Sequence, residues 1–66
     1  MNETFGERLR RIRKERGYTQ KDVGMKTGIA RHLISHYERG DNEPSLSRIE
    51  WLCEALNVTA TELLGF

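Results

Sequence analysis

The sequence predicts an all-α fold of five short helices, and three observations support this prediction. No stretch of the chain alternates apolar and polar residues as a half-buried strand does. Apolar residues instead recur three and four positions apart, which is the spacing of one helix face. Four glycines and the single proline interrupt these periodic segments, at Gly17, Gly28, Gly40, Gly65 and Pro44.

The first two predicted helices begin at threonines. Thr4 is followed three residues later by Glu7, which is the spacing of a capping box. The apolar stripe of this helix comprises Phe5, Leu9 and Ile12. Thr19 is the expected N-cap of a short second helix that ends near Gly28.

Three further helices are expected toward the C-terminus. The third covers about residues 30–39, and its apolar side comprises Ala30, Leu33, Ile34 and Tyr37. Ser45 is the expected cap of a fourth helix, whose stripe comprises Leu46, Ile49, Leu52, Cys53 and Leu56. Thr59 and Glu62 have capping-box spacing and begin a fifth helix of one or two turns. Helices this short cross at steep angles rather than forming an elongated bundle.

Length and composition indicate one small domain and exclude a membrane span. The chain has 66 residues, of which 36% are hydrophobic and 32% charged, and it lacks the run of about 20 apolar residues that a membrane helix needs. Its single cysteine, Cys53, cannot form an internal disulfide, and the N-terminal segment lacks the apolar stretch of a signal peptide. We therefore expect a cytoplasmic, single-domain protein over residues 1–66.

Basic and acidic residues are unevenly distributed along the chain. Residues 1–40 hold ten Lys and Arg against five Asp and Glu, whereas residues 41–66 hold one against five. This asymmetry favours a surface that faces a polyanion, although two solvated helix faces would give the same count. The basic residues of helix 1 are expected on its solvent faces; they are Arg8, Arg10, Arg11, Lys14 and Arg16.

No set of residues predicts catalysis or metal binding. A nucleophile, a base and an orienting group do not occur together, and a small convex helical domain offers little pocket for a small-molecule ligand. His32 and His36 are spaced so that both imidazoles can meet one ion, but zinc generally needs three or four protein ligands. We expect no enzymatic activity, no cofactor and no metal.

Helices 2 and 3, over about residues 19–39, have the arrangement of a helix-turn-helix, whose second helix enters the DNA major groove. Characteristic segments lie at 13–20 (Arg-Lys-Glu-Arg-Gly-Tyr-Thr-Gln), 28–30 (Gly-Ile-Ala), 34–40 (Ile-Ser-His-Tyr-Glu-Arg-Gly), 44–46 (Pro-Ser-Leu) and 55–59 (Ala-Leu-Asn-Val-Thr). On these segments the chain resembles the phage repressor and Cro type of helix-turn-helix, also called the XRE family, over about residues 5–64. The resemblance implies a lambda-repressor-like five-helix domain and a transcriptional regulator that binds double-stranded DNA sequence-specifically.

The resemblance also implies roles for individual residues. The implied base contacts, on a recognition helix over about residues 30–39, are Arg31, His32, Ser35 and His36. The implied phosphate contacts are Gln20, Arg39 and Asn42, and Gln20 also braces the recognition helix. Arg13 and Glu38 are implied to form a structural ion pair. Residue chemistry agrees independently at Arg31, because a guanidinium can donate two hydrogen bonds to guanine O6 and N7.

The sequence departs from the family pattern at two positions of the helix-turn-helix. Ala30 stands where a hydroxyl-bearing cap of the recognition helix is usual. Gly24 stands where alanine is common; it keeps a small contact between helices 2 and 3 but costs about 0.5 to 1 kcal/mol of helix propensity.

We expect a homodimer that binds a pseudopalindromic operator, because one such module covers only a half-site. The predicted interface comprises Trp51, Leu64 and Phe66, in the half of the chain that phosphate would repel. Alternatively, Trp51 packs over helix 5 and Phe66 is a frayed end. The competing function is a protein-binding module that docks a partner through an apolar patch around Trp51. Phage repressors, restriction-modification controllers and antitoxins share this domain, and no residue here separates them.

Overall fold

The computed structural model describes residues 2–66 and contains five α-helices. They are α1 (Phe5–Glu15), α2 (Gln20–Thr27), α3 (Arg31–Arg39), α4 (Leu46–Leu56) and α5 (Ala60–Leu64). Residues 2–66 include no strand, so the all-α prediction is confirmed. Over the same residues, no helix has the length and apolar character needed to cross a membrane.

Side-chain caps begin four of the five helices, as predicted. Thr4, Thr19 and Thr59 each accept the backbone N–H of the residue three positions later, and the acid there accepts the threonine's own N–H. Ser45 caps α4 in the simpler way, through its hydroxyl alone. α3 is the exception, because its N-cap is Ala30, which makes no side-chain hydrogen bond.

Two of the capping acids have perturbed acidities. The backbone N–H of Thr19 lowers the pKa of Asp22, and the backbone N–H of Thr59 lowers that of Glu62; each threonine hydroxyl adds to the effect. A hydrogen bond to a carboxylate stabilises its charged form. Folding therefore favours ionisation of both groups.

The core lies where the helices meet and follows most of the predicted stripes. It comprises Leu9, Ile12, Val23, Ile29, Ile34, Tyr37, Leu52, Leu56 and Leu63. Two expectations were wrong: Leu46 is 78% exposed, and Ala30 also lies at the surface. Leu46 is the first residue of α4 and Ala30 is the N-cap of α3, so each lies at a helix end rather than within the helix face that packs on the core. Ile29, in the turn before α3, is buried in place of Ala30.

α1 packs against the end of α3 at a contact that requires glycine. A Cβ on Gly6 would lie 2.6 Å from the carbonyl oxygen of Tyr37 and closer still to that of Glu38. Both neighbours are backbone atoms, so the two helices would have to separate to accommodate alanine. Gly6 therefore fixes the distance between α1 and the last turn of α3.

Arg8 of α1 and Arg16, the C-cap of α1, both bind helix ends. The expected solvent placement was wrong for Arg8, which is half-buried, whereas Arg16 is exposed. Arg8 donates from Nη1 to the carbonyl oxygen of Leu64, at 3.1 Å, near the end of α5. Arg16 donates from Nε to the carbonyl oxygen of Leu56, at 2.8 Å, at the end of α4. A cation at a helix C-terminus satisfies free carbonyls and is favoured by the helix dipole. These contacts join α1 to the two C-terminal helices.

Candidate nucleic-acid interface

The turn between α2 and α3 is fixed by hydrogen bonds and by close packing. Gly28 adopts a left-handed conformation at the end of α2, and its N–H donates to the carbonyl oxygen of Gly24 at 2.8 Å. The hydroxyl of Thr27 accepts the N–H of Ile29 at 3.1 Å. A Cβ on Gly24 would lie 2.9 Å from the Ile29 carbonyl oxygen. The two helices are therefore held in a single relative orientation.

The polar side of α3 forms a surface groove with the beginning of α2. Buried Ile34 and Tyr37 and half-buried Leu33 hold the opposite side of the helix against the core. The groove has a volume of about 340 Å³ and is lined by Gln20, Arg31, His32, Ser35, His36 and Arg39. We call these six residues the α3 groove. The structure thus brings together the four residues predicted to contact bases and two of the three predicted to contact phosphate.

Asn42, the third predicted phosphate contact, lies outside the α3 groove. It is exposed in the turn that follows α3. Its side-chain oxygen accepts the backbone N–H of Glu43 at 3.0 Å, which leaves the amide NH₂ as its donor for another group.

An ion pair between α1 and α3 braces the α3 groove from behind. Arg13 donates to the Glu38 carboxylate from Nε at 2.6 Å and from Nη2 at 3.0 Å, and both side chains are largely buried. Arg13 also donates to the carbonyl oxygen of Tyr18 at 2.9 Å. The same carboxylate accepts from Nε2 of Gln20 at 3.1 Å. Because an amide NH₂ has two hydrogens, Gln20 retains one donor for a phosphate.

The last turn of α3 carries a second network, on the solvent side. Arg39 donates from Nε to Asp41 Oδ2 at 3.0 Å, from Nη2 to Nδ1 of His36 at 3.1 Å, and from Nη1 to the Ser35 hydroxyl. His36 Nδ1 also lies 3.4 Å from Asp41 Oδ2. Arg39 first, and His36 second, lower the pKa of Asp41. Asp41 was not predicted from the sequence, although its position just after a glycine-terminated helix was an available signal.

The two histidines of the α3 groove do not form a three-ligand metal site. Their rings are 6.3 Å apart at an interplanar angle of 89°. Across residues 2–66, no group of three or more His, Cys, Asp and Glu side chains is placed to bind one ion.

Fewer cations face outward than the residue count implies. Arg8, Arg13 and Arg16 bind carbonyls or a buried acid, and Arg11 donates to the carboxylates of Glu3 and Glu15. Exposed Lys21 and Arg31 flank the beginning of α3, and Arg39 lies at its end. The other exposed cations include Arg10 and Lys14 on α1 and Lys26 on α2.

Trp51 lies on a different surface from the α3 groove. It is 45% exposed and lines a shallow cavity of about 480 Å³ with Lys26, Thr27, Glu54 and Ala55. These neighbours belong to α2 and α4, so the cavity is not formed by α5, over which Trp51 was alternatively expected to pack. Leu64 is half-buried and Phe66 is 86% exposed.

Comparison with known proteins gives a consistent result. Residues 4–64 match the family model described as a helix-turn-helix domain. An uncharacterized HTH-type transcriptional regulator, YazB of Bacillus subtilis (strain 168), is 38% identical over 61 residues, which are 92% of this chain and 88% of that protein.

Two solved structures share the fold. The restriction-modification controller protein C.AhdI from Aeromonas hydrophila superimposes with a TM-score of 0.89 at 35% identity, covering 91% of each chain. The P22 c2 repressor protein, in complex with synthetic operator 9T, superimposes with a TM-score of 0.89 at 32% identity, covering 96% of each chain.

Proposed function

The chain belongs to the helix-turn-helix domain family. We propose that it is a sequence-specific transcriptional regulator that binds double-stranded DNA. The observation that carries the proposal is the α3 groove: one face of α3 is fixed to the core, and the other presents Arg31, His32, Ser35, His36 and Arg39 to the outside. The major groove of B-DNA admits an α-helix, and its base edges present the acceptors that such side chains recognise.

The residues of the α3 groove divide into base contacts and phosphate contacts. We assign base recognition to Arg31, His32, Ser35 and His36, because they occupy the outward face of α3 along two turns. The guanidinium of Arg31 makes no hydrogen bond within residues 2–66. It can therefore donate two parallel N–H hydrogen bonds to O6 and N7 of a guanine. Arg39, the free amide hydrogen of Gln20, and Asn42 border that face and are assigned to phosphates.

We propose that the protein binds DNA as a homodimer in the cytoplasm. The domain, with its helix-turn-helix at residues 19–39, spans one half-site, and a two-fold pair contacts half-sites about 34 to 36 Å apart. The proposed interface includes Trp51, Leu64 and Phe66, which lie in the acidic half of the chain and away from the α3 groove. No catalytic step is assigned to the chain.

Selection from a random duplex pool tests the proposed function. We expect enrichment of a two-fold symmetric site and an affinity that falls linearly with the logarithm of salt concentration. Failure to bind any duplex at about 50 mM salt would contradict the proposal. That outcome would favour instead the module that docks a protein through the surface around Trp51.

A further inference from the structure

A carboxylate contacts two residues of the α3 groove, although the groove is expected to face an anion. Oδ2 of Asp41 accepts from Nε of Arg39 at 3.0 Å and lies 3.4 Å from Nδ1 of His36. Asp41 therefore occupies the side of Arg39 that a phosphate oxygen would otherwise use. DNA binding has to accommodate or break this contact.

The backbone fixes Asp41 at this place. Its N–H donates to the carbonyl oxygen of His36 at 3.0 Å, and Gly40 before it adopts the left-handed conformation that ends α3. A negative charge near a helix C-terminus is disfavoured by the helix dipole. The helix dipole therefore does not favour an acid at this position, whereas the contact with Arg39 does.

The contact between Arg39 and Asp41 is exposed and therefore open to exchange. The side chains of Arg39 and Asp41 are each 54% exposed, and ion pairs this exposed contribute little net free energy. A phosphate can therefore displace Asp41 from Arg39. The displaced carboxylate would then lie close to the DNA backbone and repel it.

The same contact orients the donors of the last turn. Nη2 of Arg39 lies 3.1 Å from Nδ1 of His36, so the position of the guanidinium also bears on the orientation of the imidazole ring. Arg39 also donates to the hydroxyl of Ser35. Asp41 thus holds Arg39 in a position from which it arranges two proposed base contacts.

We infer that Asp41 is a positioning residue for sequence discrimination, an inference that rests on the proposed function. It competes with phosphates for Arg39, which weakens binding to DNA of any sequence. It also holds Arg39 against Ser35 and His36, which favours a duplex whose bases match them. The first effect lowers both affinities alike, and the second preserves the affinity for the matching duplex, which increases the ratio of specific to non-specific affinity.

The test compares Asp41→Asn with the matched control Glu43→Gln. Glu43 is exposed two residues away, makes no ion pair within residues 2–66, and loses the same charge. Each variant and the wild type are used to select duplexes from a random pool. Affinities are then measured for the wild-type-selected duplex and for a random duplex of equal length, and thermal melting verifies folding. Selections with His36→Ala and Arg31→Ala identify the base pairs that these residues contact.

For Asp41→Asn we expect about fivefold tighter binding to the random duplex and no gain on the selected duplex. The preference at the base pair contacted by His36 should weaken, while that at the base pair contacted by Arg31 persists. Glu43→Gln should change both affinities in parallel and keep both preferences.

An unchanged affinity ratio in Asp41→Asn, or the same loss of preference in Glu43→Gln, would overturn the inference while leaving the proposed function intact. A wild-type protein that does not discriminate between the two duplexes would instead overturn the proposed function, and the inference with it.

Discussion

Glu38, at the end of α3, forms a two-point ion pair with Arg13 of α1, and this pair is almost enclosed by protein. The carboxylate accepts at 2.6 Å and 3.0 Å, and its side chain is only 4% exposed. The same group accepts from Gln20 at the beginning of α2. One carboxylate therefore joins the three helices that determine how the α3 groove is presented.

Removing one member of this pair should destabilise the protein strongly. We expect Arg13→Ala to lower the free energy of unfolding by about 3 to 5 kcal/mol, because Glu38 is left buried without its cation. Replacing both residues, as Arg13→Met with Glu38→Leu, should restore most of that loss. Urea unfolding measures both effects. A single variant with wild-type stability would show that the pair is open to solvent.

Gly6→Ala should also destabilise, although alanine is the better helix former. The added Cβ would press on backbone carbonyls of α3, and overpacking of this kind costs about 1 to 3 kcal/mol. Ser47→Ala, at an exposed position of α4, is the control and should be neutral or slightly stabilising. Thermal unfolding of the two variants compares them; a stabilised Gly6→Ala protein would contradict the close contact.

Stability should fall in acid through the capping carboxylates. The pKa values of Asp22 and Glu62 are lower in the folded state, so their contribution is complete above the unfolded values of about 4. It is lost as the pH falls from there through the folded values. Asp22→Asn with Glu62→Gln removes the titrating charges, so the melting temperature of the double variant should change less between about pH 6 and pH 3 than that of the wild type. Equal changes would assign the acid sensitivity to other groups.

Local sequence signals predicted the helix ends well, because caps depend on residues three positions apart, such as Thr4 and Glu7. Contacts between distant segments were not predictable in the same way. The roles of Gly6 and Arg16 depend on where α3 and α4 lie, and Arg16 binds a carbonyl 40 residues away in sequence. All six residues that line the α3 groove were named from the sequence, but Asp41 was not, since its contact requires the side chain to turn back onto α3.

If the proposed interface is correct, removing its aromatic residues should lower the mass of the assembly in solution from that of a dimer toward that of a monomer. Trp51→Ala combined with deletion of Phe66 should shift sedimentation toward the monomer and weaken binding to the selected duplex, while helicity is kept. Exposed aromatic residues are favoured interface anchors, and each of the two changes removes one of them. Met25→Ala, which removes an apolar side chain that is 76% exposed on α2, is the control and should leave the mass unchanged. A double variant that dimerises like the wild type would place the interface elsewhere.

Base recognition by α3 is the central claim, and the sequence preference of Arg31→Ala tests it most directly. Arg10→Ala, an exposed arginine of α1 outside the α3 groove, is the matched control for the lost charge. Affinities are measured on the selected duplex and on its single-base-pair variants at one salt concentration. We predict that Arg31→Ala loses about 1 to 3 kcal/mol of discrimination at one base pair and keeps the rest, whereas Arg10→Ala keeps all of it. An equal loss of affinity on every duplex would make Arg31 a phosphate contact and contradict base recognition by this face of α3.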